Sequence, residues 1–271
     1  MRQTASSDPR ELAGKRAVVT GSSRGIGRAI ALELAAAGAA VLVHARAQAQ
    51  AACEVVDAIR ESGCTSDLLL YDLARPENHE AMVDHVWHDH GGADIWINNA
   101  GADVLTGEAA EWSFEQKLET LWRVDVVATI RLSRLAGRRM QTQKGTPGEN
   151  VILTLGWDQT EHGMEGDSGE MFSAVKGAIV SFSQSLAKSL APQVRVNCLA
   201  PGWIKTAWGE QASAYWQDRA CRESLLGRWG TPEDVARTAR FLVSPAAQYI
   251  NGQVVAVNGG LRPPRDTRSE T

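Results

Sequence analysis

The chain is poor in cysteine, in long apolar runs and in excess charge. Its four cysteines are scattered without a CxxC pair, which argues against a zinc ribbon or a disulfide framework and predicts reduced thiols. No apolar run approaches the roughly eighteen residues of a membrane-spanning helix, and the first residues, MRQTASSDPREL, contain no apolar segment typical of an export signal. We therefore expect a cytoplasmic protein without membrane contacts.

The charge balance argues against a further class of partner. A formal net charge of −4 leaves no basic surface of the kind that binds nucleic acid. With 271 residues, 44% of them hydrophobic, the chain is long enough and apolar enough to enclose a core. We expect the partners to be small molecules.

The distribution of apolar residues predicts an α/β fold. Short β-rich runs alternate with amphipathic segments of helical length, which is typical of βαβ units in a parallel sheet covered on both faces. The predicted strands are RAVVTG, AAVLVHA, DLLLYDL, ADIWINNAG, NVILTLG, VRVNCLAPG and GQVVAVNGG. We predict a single-domain, doubly wound, Rossmann-like sheet of about seven strands over residues 12–262, with tails at 1–11 and 263–271.

The first predicted strand ends in a glycine-rich turn. The segment VVTGSSRGIGRAIALELAAAG contains Gly21, Gly25 and Gly27. The following helix is predicted from Ile26 to Ala37, with Gly38 as its stop. Glycines allow the backbone to approach a pyrophosphate closely, and the free N–H groups of a helix N-terminus attract it. The turn therefore predicts a dinucleotide site.

Five ordered motifs resemble the short-chain dehydrogenase/reductase family, and in particular its 3-oxoacyl-carrier-protein reductases. They are the TGxxxGxG turn, YDL at 71–73, NNAG at 98–101, LAPGWIKT at 199–206, and the segment from GRWGTPEDV to VNGG at 227–260. The resemblance extends from about Leu12 to Arg262. It implies a Rossmann-like fold, a nicotinamide dinucleotide cofactor and hydride transfer.

The resemblance also implies the cofactor-binding residues. Asp72 lies in the loop that binds adenine in the family, and Ile204 and Thr206 lie where the family contacts the nicotinamide amide and a nearby phosphate. The complete implied set is Gly21, Ser23, Arg24, Gly25, Ile26, Gly27, Arg46, Asp72, Leu73, Asn99, Ala100, Gly101, Lys176, Pro201, Gly202, Ile204 and Thr206.

Charge distinguishes NAD(H), which has a free ribose 2′-hydroxyl, from NADP(H), which has a 2′-phosphate. An acidic residue at the end of VLVHARA would bind a free ribose 2′-hydroxyl, but this position is Ala45, and Arg46 follows it. Arg24, inside the glycine turn, is a second cation near the same phosphate. We predict that the cofactor is NADP(H).

The catalytic positions depart from the family's pattern of serine, asparagine and YxxxK. Lys176 matches the lysine, but Phe172 stands at the tyrosine position. Trp157 follows the strand NVILTLG, where the serine is expected, and Asp125 occupies the asparagine position. A buried lysine without its phenol needs a partner, so we predict an ion pair between Lys176 and Asp125.

Several groups are candidates to replace the missing proton donor, whose loss lowers a rate by roughly 10²–10⁴. The family's serine-to-tyrosine spacing, counted back from Phe172, reaches Gln159 or Thr160, so Thr160 is a candidate surrogate hydroxyl. We prefer the alignment anchored on the strand NVILTLG, which places Trp157 at the serine position. Asp158 and His162 lead among the titratable residues of the loop WDQTEHGMEGDSGE. Alternatively, an iminium substrate needs no acid, because it already carries a positive charge that aromatic walls favour.

Two further groups of residues have competing interpretations. His85, His88 and His90 suggest a metal, but they precede the strand ADIWINNAG, so we predict an exposed helix end and no metal site. An aromatic segment follows Pro201 and Gly202, the PG turn, where the family has its substrate lid. These rings either form a substrate pocket or pack against the body or a neighbouring subunit. Its members are Trp203, Trp208, Tyr215 and Trp216.

The resemblance also implies an oligomer. The helices predicted within 114–140 and 172–190 correspond to those that form subunit contacts in the family, so a homotetramer is expected.

Three functions remain open. The leading hypothesis is an NADP(H)-dependent oxidoreductase that acts on a small or medium organic substrate, a carbonyl or an imine or iminium, through an atypical active site. The second is a cofactor-binding protein without turnover that serves as a sensor or scaffold. The third is a lyase or isomerase that uses the same pocket without net redox chemistry.

Overall fold

One parallel sheet of seven strands organises the protein. The computed structural model describes residues 10–47, 49–143 and 145–261. The strands are β1 (Arg16–Val19), β2 (Ala40–Ala45), β3 (Ser66–Leu70), β4 (Ile95–Asn98), β5 (Asn150–Leu155), β6 (Val194–Pro201) and β7 (Val254–Val257). Their order in the sheet is β3-β2-β1-β4-β5-β6-β7, and every neighbouring pair is parallel. The predicted doubly wound, Rossmann-like fold is confirmed.

Helices connect the strands and cover both faces of the sheet. Within the described residues they are α1 (Gly25–Ala36), α2 (Ala49–Glu61), α3 (Glu77–Asp89), α4 (Phe114–Leu121), α5 (Ala128–Thr142), α6 (Asp167–Leu190), α7 (Ala207–Gln211), α8 (Ala214–Glu223) and α9 (Pro232–Val243). The first helix begins one residue before its predicted start and ends one residue before its predicted end. Gly38 follows it with a φ of +95°, a conformation that favours glycine.

The strand sequences are continuous apolar runs because both faces of the sheet are buried. Val19 and Ile97 point into a core with α1, α2 and α9, whereas Val18 and Trp96, their neighbours in sequence, point into a core with α3, α5 and α6. All four side chains are fully buried or nearly so. Alternate residues of one strand therefore fill opposite layers.

A π-helical stretch, Trp122–Val127, links α4 to α5. Such stretches are often found at functional sites, since they change the direction in which a side chain points. Here Asp125 is buried with 2% of its surface exposed, whereas Trp122 is exposed.

The predicted tails lie largely outside the described residues. Arg10 and Glu11 are described, and Glu11 accepts a hydrogen bond of 2.8 Å from Nε of Arg240 in α9. Residues 1–9 and 262–271 are outside the described ranges, so the predicted boundary after Arg262 is not addressed.

The strand order creates a crevice at one edge of the sheet. The chain moves outward from β1 in one direction to β2 and β3, and then returns to add β4 on the other side of β1. Connections that leave β1 and β4 therefore diverge at their carboxyl ends, which is where ligands bind in open α/β sheets.

Candidate active site and dinucleotide cradle

The turn between β1 and α1 is packed too tightly for side chains at two of its glycines. A Cβ atom at Gly27 would lie 2.3 Å from the carbonyl oxygen of Gly21 and 2.4 Å from Nδ2 of Asn99. A Cβ atom at Gly21, whose φ is +64°, would lie 2.8 Å from Cα of Ala100. The turn is thus built from closely packed backbone, and no side chain caps the N-terminus of α1, so the turn fits the predicted dinucleotide.

Hydrogen bonds join this turn to the loop after β4. The backbone N–H groups of Asn99 and Ala100 both donate to Oγ1 of Thr20 over 3.0 Å. Nδ2 of Asn99 donates to the carbonyl oxygens of Thr20 (2.9 Å) and Gly21 (3.0 Å). The predicted NNAG segment thus supports the glycine turn directly.

His44, at the carboxyl end of β2, joins the glycine turn to the loop after β3. The N–H of Gly21 donates to its Nδ1 over 3.0 Å, and its Nε2 lies 2.9 Å from the carbonyl oxygen of Tyr71. Since Nδ1 accepts, the proton is on Nε2 and the ring is neutral. Burial lowers the pKa of His44 from 6.5 to about 4, against the opposing effects of the Tyr71 carbonyl and Asp72.

Sequence reasoning did not single out His44. The available signal was a histidine in the strand AVLVHA, all other residues of which are apolar. A polar side chain with 2% exposure in such a strand must have hydrogen-bond partners.

The residues predicted to bind the adenosine half lie at the same edge. Oδ1 of Asp72 accepts a hydrogen bond of 3.0 Å from the N–H of Ala74, and Leu73 is buried. Arg24 and Arg46 are exposed, and neither forms an ion pair with another described residue. Both guanidinium groups are therefore available to an anionic ligand.

The segment after β6 approaches the glycine turn from the other side. A Cβ atom at Gly25 would lie 3.8 Å from Cγ2 of Thr206, which precedes α7. Pro201 ends β6, and Ile204 is 7% exposed and forms an isolated bridge with Gly230. Along the same turn, Ser23 and Ile26 are half-buried. The predicted cofactor residues thus lie along one edge of the sheet.

Lys176, on α6, is paired with Asp125. Its Nζ donates to Oδ2 of Asp125 over 2.9 Å, and Oδ1 accepts the N–H of Ala102 over 2.8 Å. The side chains are 14% and 2% exposed. A Cβ atom at Gly101 would lie 2.9 Å from Oδ2, so a glycine at that position leaves room for the carboxylate. The predicted ion pair is confirmed.

Two aromatic rings, those of Phe172 and Trp157, contact each other beside α6. Phe172 precedes Lys176 by one helical turn on α6, and its ring centroid lies 6.2 Å from that of Trp157, with an interplanar angle of 64°. This is a favourable edge-to-face arrangement. Both rings are half-buried, and neither can donate or accept the proton that a carbonyl reduction requires.

The three candidate proton donors have different environments. Oγ1 of Thr160 donates to the carbonyl oxygen of Trp157 over 2.9 Å, and His162 is exposed. Asp158 is buried, with Oδ2 accepting a hydrogen bond of 3.1 Å from Nδ2 of Asn258. Burial raises the pKa of Asp158 to about 6, although Asn258 and nearby backbone amides oppose the shift and Glu223 adds to it.

Asn258, after β7, was not predicted as a site residue. Its Oδ1 accepts the N–H of Gly260 over 3.0 Å, so its amide group is fixed toward Asp158. A Cβ atom at Gly202 would lie 2.5 Å from Cβ of Asn258 and 2.8 Å from Oδ2 of Asp158. The carboxyl ends of β5, β6 and β7 therefore meet around the Asp158 carboxylate.

The predicted aromatic segment packs into a cluster with one further member. The rings of Trp203 and Trp216 lie 5.6 Å apart, and Trp203 also contacts Trp208 and Trp229 at 6.3 and 5.9 Å. Tyr215 contacts Trp216 at 5.1 Å. The rings of the segment pack against one another and against Trp229, which was missed because it lies beyond the segment. The choice between a substrate pocket and packing against the body or a neighbouring subunit stays a prediction.

Arg219 connects the cluster to the loop before α6. Its guanidinium carbon lies 5.2 Å from the ring centroid of Trp216, and it donates to Glu165 and to Glu223 over 2.6 Å each. Nε1 of Trp203 also donates to Glu223, over 2.9 Å. Helix α8 is therefore tied both to the segment after β6 and to the loop between β5 and α6.

The histidines before β4 make local contacts. Nδ1 of His85 lies 3.0 Å from the hydroxyl of Tyr71, and Nδ1 of His88 lies 2.6 Å from Asp89. The rings of His90 and His85 are tilted by 37° to each other, with centroids 5.3 Å apart. In residues 10–47, 49–143 and 145–261, no three His, Cys, Asp or Glu side chains are grouped to hold a metal ion.

Over the same ranges, no helix is both long and apolar enough to span a bilayer.

Comparison with known proteins identifies close relatives over nearly the whole chain. The family model described as enoyl-(acyl carrier protein) reductase matches residues 21–262. The 3-oxoacyl-[acyl-carrier-protein] reductase FabG of Aquifex aeolicus (strain VF5) is 32% identical over 257 residues, which cover 93% of this chain and 98% of that protein. Cyclohexanol dehydrogenase of Rhodococcus sp. (strain TK6) is 35% identical over 268 residues, covering 92% and 97%.

A solved structure has the same fold. The short-chain dehydrogenase from Burkholderia cenocepacia J2315, in complex with NADP, superposes with a TM-score of 0.81 at 32% sequence identity. The match covers 92% of this chain and 98% of that one.

Proposed function

The chain belongs to the short-chain dehydrogenase/reductase family of oxidoreductases, and we propose that it transfers hydride between NADP(H) and a small or medium organic substrate. The substrate carries a carbonyl, imine or iminium carbon. The observation that carries this proposal is the contact between the glycine turn and the loop after β4, where Thr20, Asn99 and Gly27 form a cradle that only backbone and small groups fit.

The residues that hold the cofactor are proposed from the family resemblance and from their position along this edge of the sheet. The glycine turn binds the pyrophosphate, the loop after β3 binds the adenine, and the segment after β6 binds the nicotinamide amide. When bound, the reduced cofactor supplies a hydride. The proposed contacts are Gly21, Ser23, Arg24, Gly25, Ile26, Gly27, Arg46, Asp72, Leu73, Asn99, Ala100, Gly101, Lys176, Pro201, Gly202, Ile204 and Thr206.

The preference for NADP(H) over NAD(H) rests on charge. Arg24 and Arg46 are exposed and form no ion pair within the described residues, and Ala45 offers no carboxylate to a free 2′-hydroxyl. A guanidinium group binds a phosphate through two parallel charge-assisted hydrogen bonds. A 2′-phosphate would thus gain contacts that a hydroxyl lacks.

The substrate site works without a phenol in this proposal. Lys176 has a carboxylate partner in Asp125, so its charge is compensated beside an aromatic wall that includes Phe172 and Trp157. The role left to Lys176 is to position the ligand and fix the local electrostatics rather than to activate a tyrosine. For a neutral carbonyl, Asp158 and Thr160 are the candidate proton donors on the loop after β5.

The alternative function is cofactor binding without turnover, in a sensing or scaffolding role. It is favoured by one observation, the direct edge-to-face contact between Trp157 and Phe172, because rings in contact fill space that a substrate would otherwise occupy.

One experiment separates these functions. NADPH and NADH are titrated against the protein by tryptophan fluorescence, and NADPH consumption is then followed with ketones, quinones and imines. The oxidoreductase proposal expects binding and turnover that falls in Lys176→Ala. Binding with no consumption across the panel would favour the non-catalytic alternative, and failure to bind either dinucleotide would refute both.

Oligomeric state is part of the proposal. We expect a homotetramer whose contacts include α5 and α6, and light scattering coupled to size exclusion measures the mass directly.

A further inference from the structure

Asp158 is a buried carboxylate without a cation. Only 9% of the residue is exposed, and its Oδ1 atom receives no hydrogen bond of ordinary geometry from the described residues. Oδ2 is bound by the neutral amide of Asn258. No lysine, arginine or histidine of the described residues lies within 4.0 Å of either oxygen. A buried anion normally has a positive partner, since burial removes the stabilisation that water provides.

The groups around Asp158 supply no missing positive charge. Asn258, after β7, is neutral, and the PG turn contributes Gly202, which has no side chain. Helix α8 contributes Glu223, whose negative charge raises the pKa of Asp158 further. The two arginines of that helix are paired elsewhere, Arg219 with Glu165 and Glu223 and Arg222 with Asp218. Every element that faces Asp158 is therefore neutral, acidic or already paired.

The position of Asp158 is the carboxyl edge of the sheet, where this fold binds ligands. Asp158 follows Trp157 directly, and the Trp157 ring contacts Phe172. Gly202, beside Asp158, immediately precedes Trp203 of the aromatic cluster. An unpaired carboxylate at this edge attracts an organic cation by charge, and the aromatic residues that adjoin Asp158 and Gly202 in sequence are of the type that stabilises such cations.

We propose that Asp158 is the anionic anchor of the substrate site and that the substrate is an organic cation, an iminium ion in the direction of reduction. This inference rests on the proposed hydride transfer and specifies the substrate class for it. Asn258 fixes the Asp158 carboxylate, because its amide donates to Oδ2 of Asp158 and its own oxygen accepts the N–H of Gly260.

The chemistry is balanced without a proton donor. The iminium carbon gains the hydride, the π electron pair of the C=N bond becomes a lone pair on nitrogen, and the substrate leaves as a neutral tertiary amine. The reduced nicotinamide is oxidised in the same step. No residue has to replace the phenol, which agrees with phenylalanine at position 172.

The protonation of Asp158 sets the pH dependence. Its pKa is about 6, so the carboxyl group is mostly ionised at pH 8 and mostly neutral at pH 5. A cation therefore binds more tightly as the pH rises through 6. A proton donor behaves in the opposite way, since its acid form is lost over the same range.

The test compares a permanent cation with a neutral ketone of the same shape. The probes are N-methyl-3,4-dihydroisoquinolinium and 1-tetralone, and their binding is measured by calorimetry with and without saturating NADP⁺. The variants are Asp158→Asn, which keeps an oxygen for the Asn258 amide, and Glu61→Gln, which removes an exposed carboxylate on α2. Thermal melting and NADPH titration of each variant check that the fold and the dinucleotide cradle are intact.

The proposal expects the cation to bind wild-type protein about tenfold more tightly than the ketone at pH 8, and to lose that advantage in Asp158→Asn but not in Glu61→Gln. Cation affinity should fall about tenfold from pH 8 to pH 5 in wild type and stay flat in Asp158→Asn. Equal affinity for the two probes, or a cation preference that survives Asp158→Asn, overturns the inference.

Two other results have distinct meanings. Ketone turnover that rises as the pH falls through 6 and disappears in Asp158→Asn identifies Asp158 as a proton donor and also overturns the inference. Loss of NADPH binding in the wild-type protein would instead contradict the proposed function, while the cation measurement made without NADP⁺ still decides whether Asp158 binds a positive ligand.

Discussion

Lys176 and Asp125 form a buried ion pair, in which Nζ donates to Oδ2 over 2.9 Å, although the two residues are 51 positions apart in sequence. The pair joins α6 to the π-helical stretch before α5. Through the N–H of Ala102, which donates to the same carboxylate, it also reaches the loop after β4. The Asp125 carboxyl group thus links α6 to the loop after β4.

We predict strong coupling between these two residues. Lys176→Met or Asp125→Asn alone should lower the free energy of unfolding by about 3–5 kcal/mol, because each leaves an uncompensated buried group. The double variant should lose less than the sum, with an interaction of at least about 1 kcal/mol. Urea unfolding of all four proteins measures the cycle, and additive losses would show that the pair contributes no net coupling.

We predict that Gly27→Ala abolishes dinucleotide binding. The new methyl group would lie 2.3 Å from the Gly21 carbonyl oxygen and 2.4 Å from Nδ2 of Asn99, so the turn must open and its hydrogen bonds to the β4 loop must break. Gly177→Ala is the matched control, since it lies in α6 and, apart from its chain neighbours and the backbone of its own helix, no described atom lies within 4 Å of the added carbon. NADPH titration should show at least about a hundredfold loss for the first and little change for the second. Equal effects of the two substitutions would contradict the proposed cradle.

The elements that sequence alone predicts are those whose signals are local. All seven strands were predicted because each is a short apolar run, and the glycine turn because its spacing lies within a few residues. The Lys176–Asp125 contact was predictable despite its sequence separation, because a buried ammonium group requires a partner and the resemblance placed one acid nearby.

The contacts that were not predicted join residues far apart in sequence, and the side chains involved have several chemically equivalent partners to choose from. Asn258 reaches Asp158 across 100 positions, and nothing in the VNGG motif indicates which side chain its amide will bind. Trp229 joins the aromatic cluster through the bridge between Ile204 and Gly230, which brings distant segments together only after folding. Such pairings depend on tertiary geometry that no periodicity encodes.

We predict that His44 makes the protein sensitive to acid. The unfolded chain takes up a proton at this ring near pH 6.5, whereas the folded chain resists protonation until about pH 4, because burial disfavours the charged ring. Since the folded-state pKa is lowered, the free energy of unfolding should fall by roughly 3 kcal/mol as the pH drops from 6.5 to 4. His44→Asn, which keeps an acceptor for Gly21 but does not titrate, should lack this component.

Cofactor affinity tests the hydrogen bonds of His44 to Gly21 and Tyr71 at neutral pH. His44→Leu removes both contacts and should weaken NADPH binding about tenfold, whereas His44→Asn retains the contact to Gly21 and should bind within a few-fold of wild type. Similar losses in both variants would mean that burial of the ring, and not its hydrogen bonds, supports the glycine turn. Equilibrium unfolding between pH 4 and pH 8 and fluorescence titration of NADPH provide the two measurements.

We predict that Arg46 and Arg24 select NADP(H) through the 2′-phosphate. Arg46→Ala should weaken NADPH binding about 10–100-fold, which corresponds to the loss of one or two charge-assisted hydrogen bonds, and should leave NADH binding within about twofold. Arg24→Ala should act in the same direction. NADPH affinity should also fall with added salt more steeply than NADH affinity, because both guanidinium groups are exposed and their attraction is screened. Arg134→Ala, an exposed arginine on α5, controls for net charge. NADH binding more tightly than NADPH in the wild-type protein, or parallel losses for both dinucleotides in Arg46→Ala, would contradict this assignment.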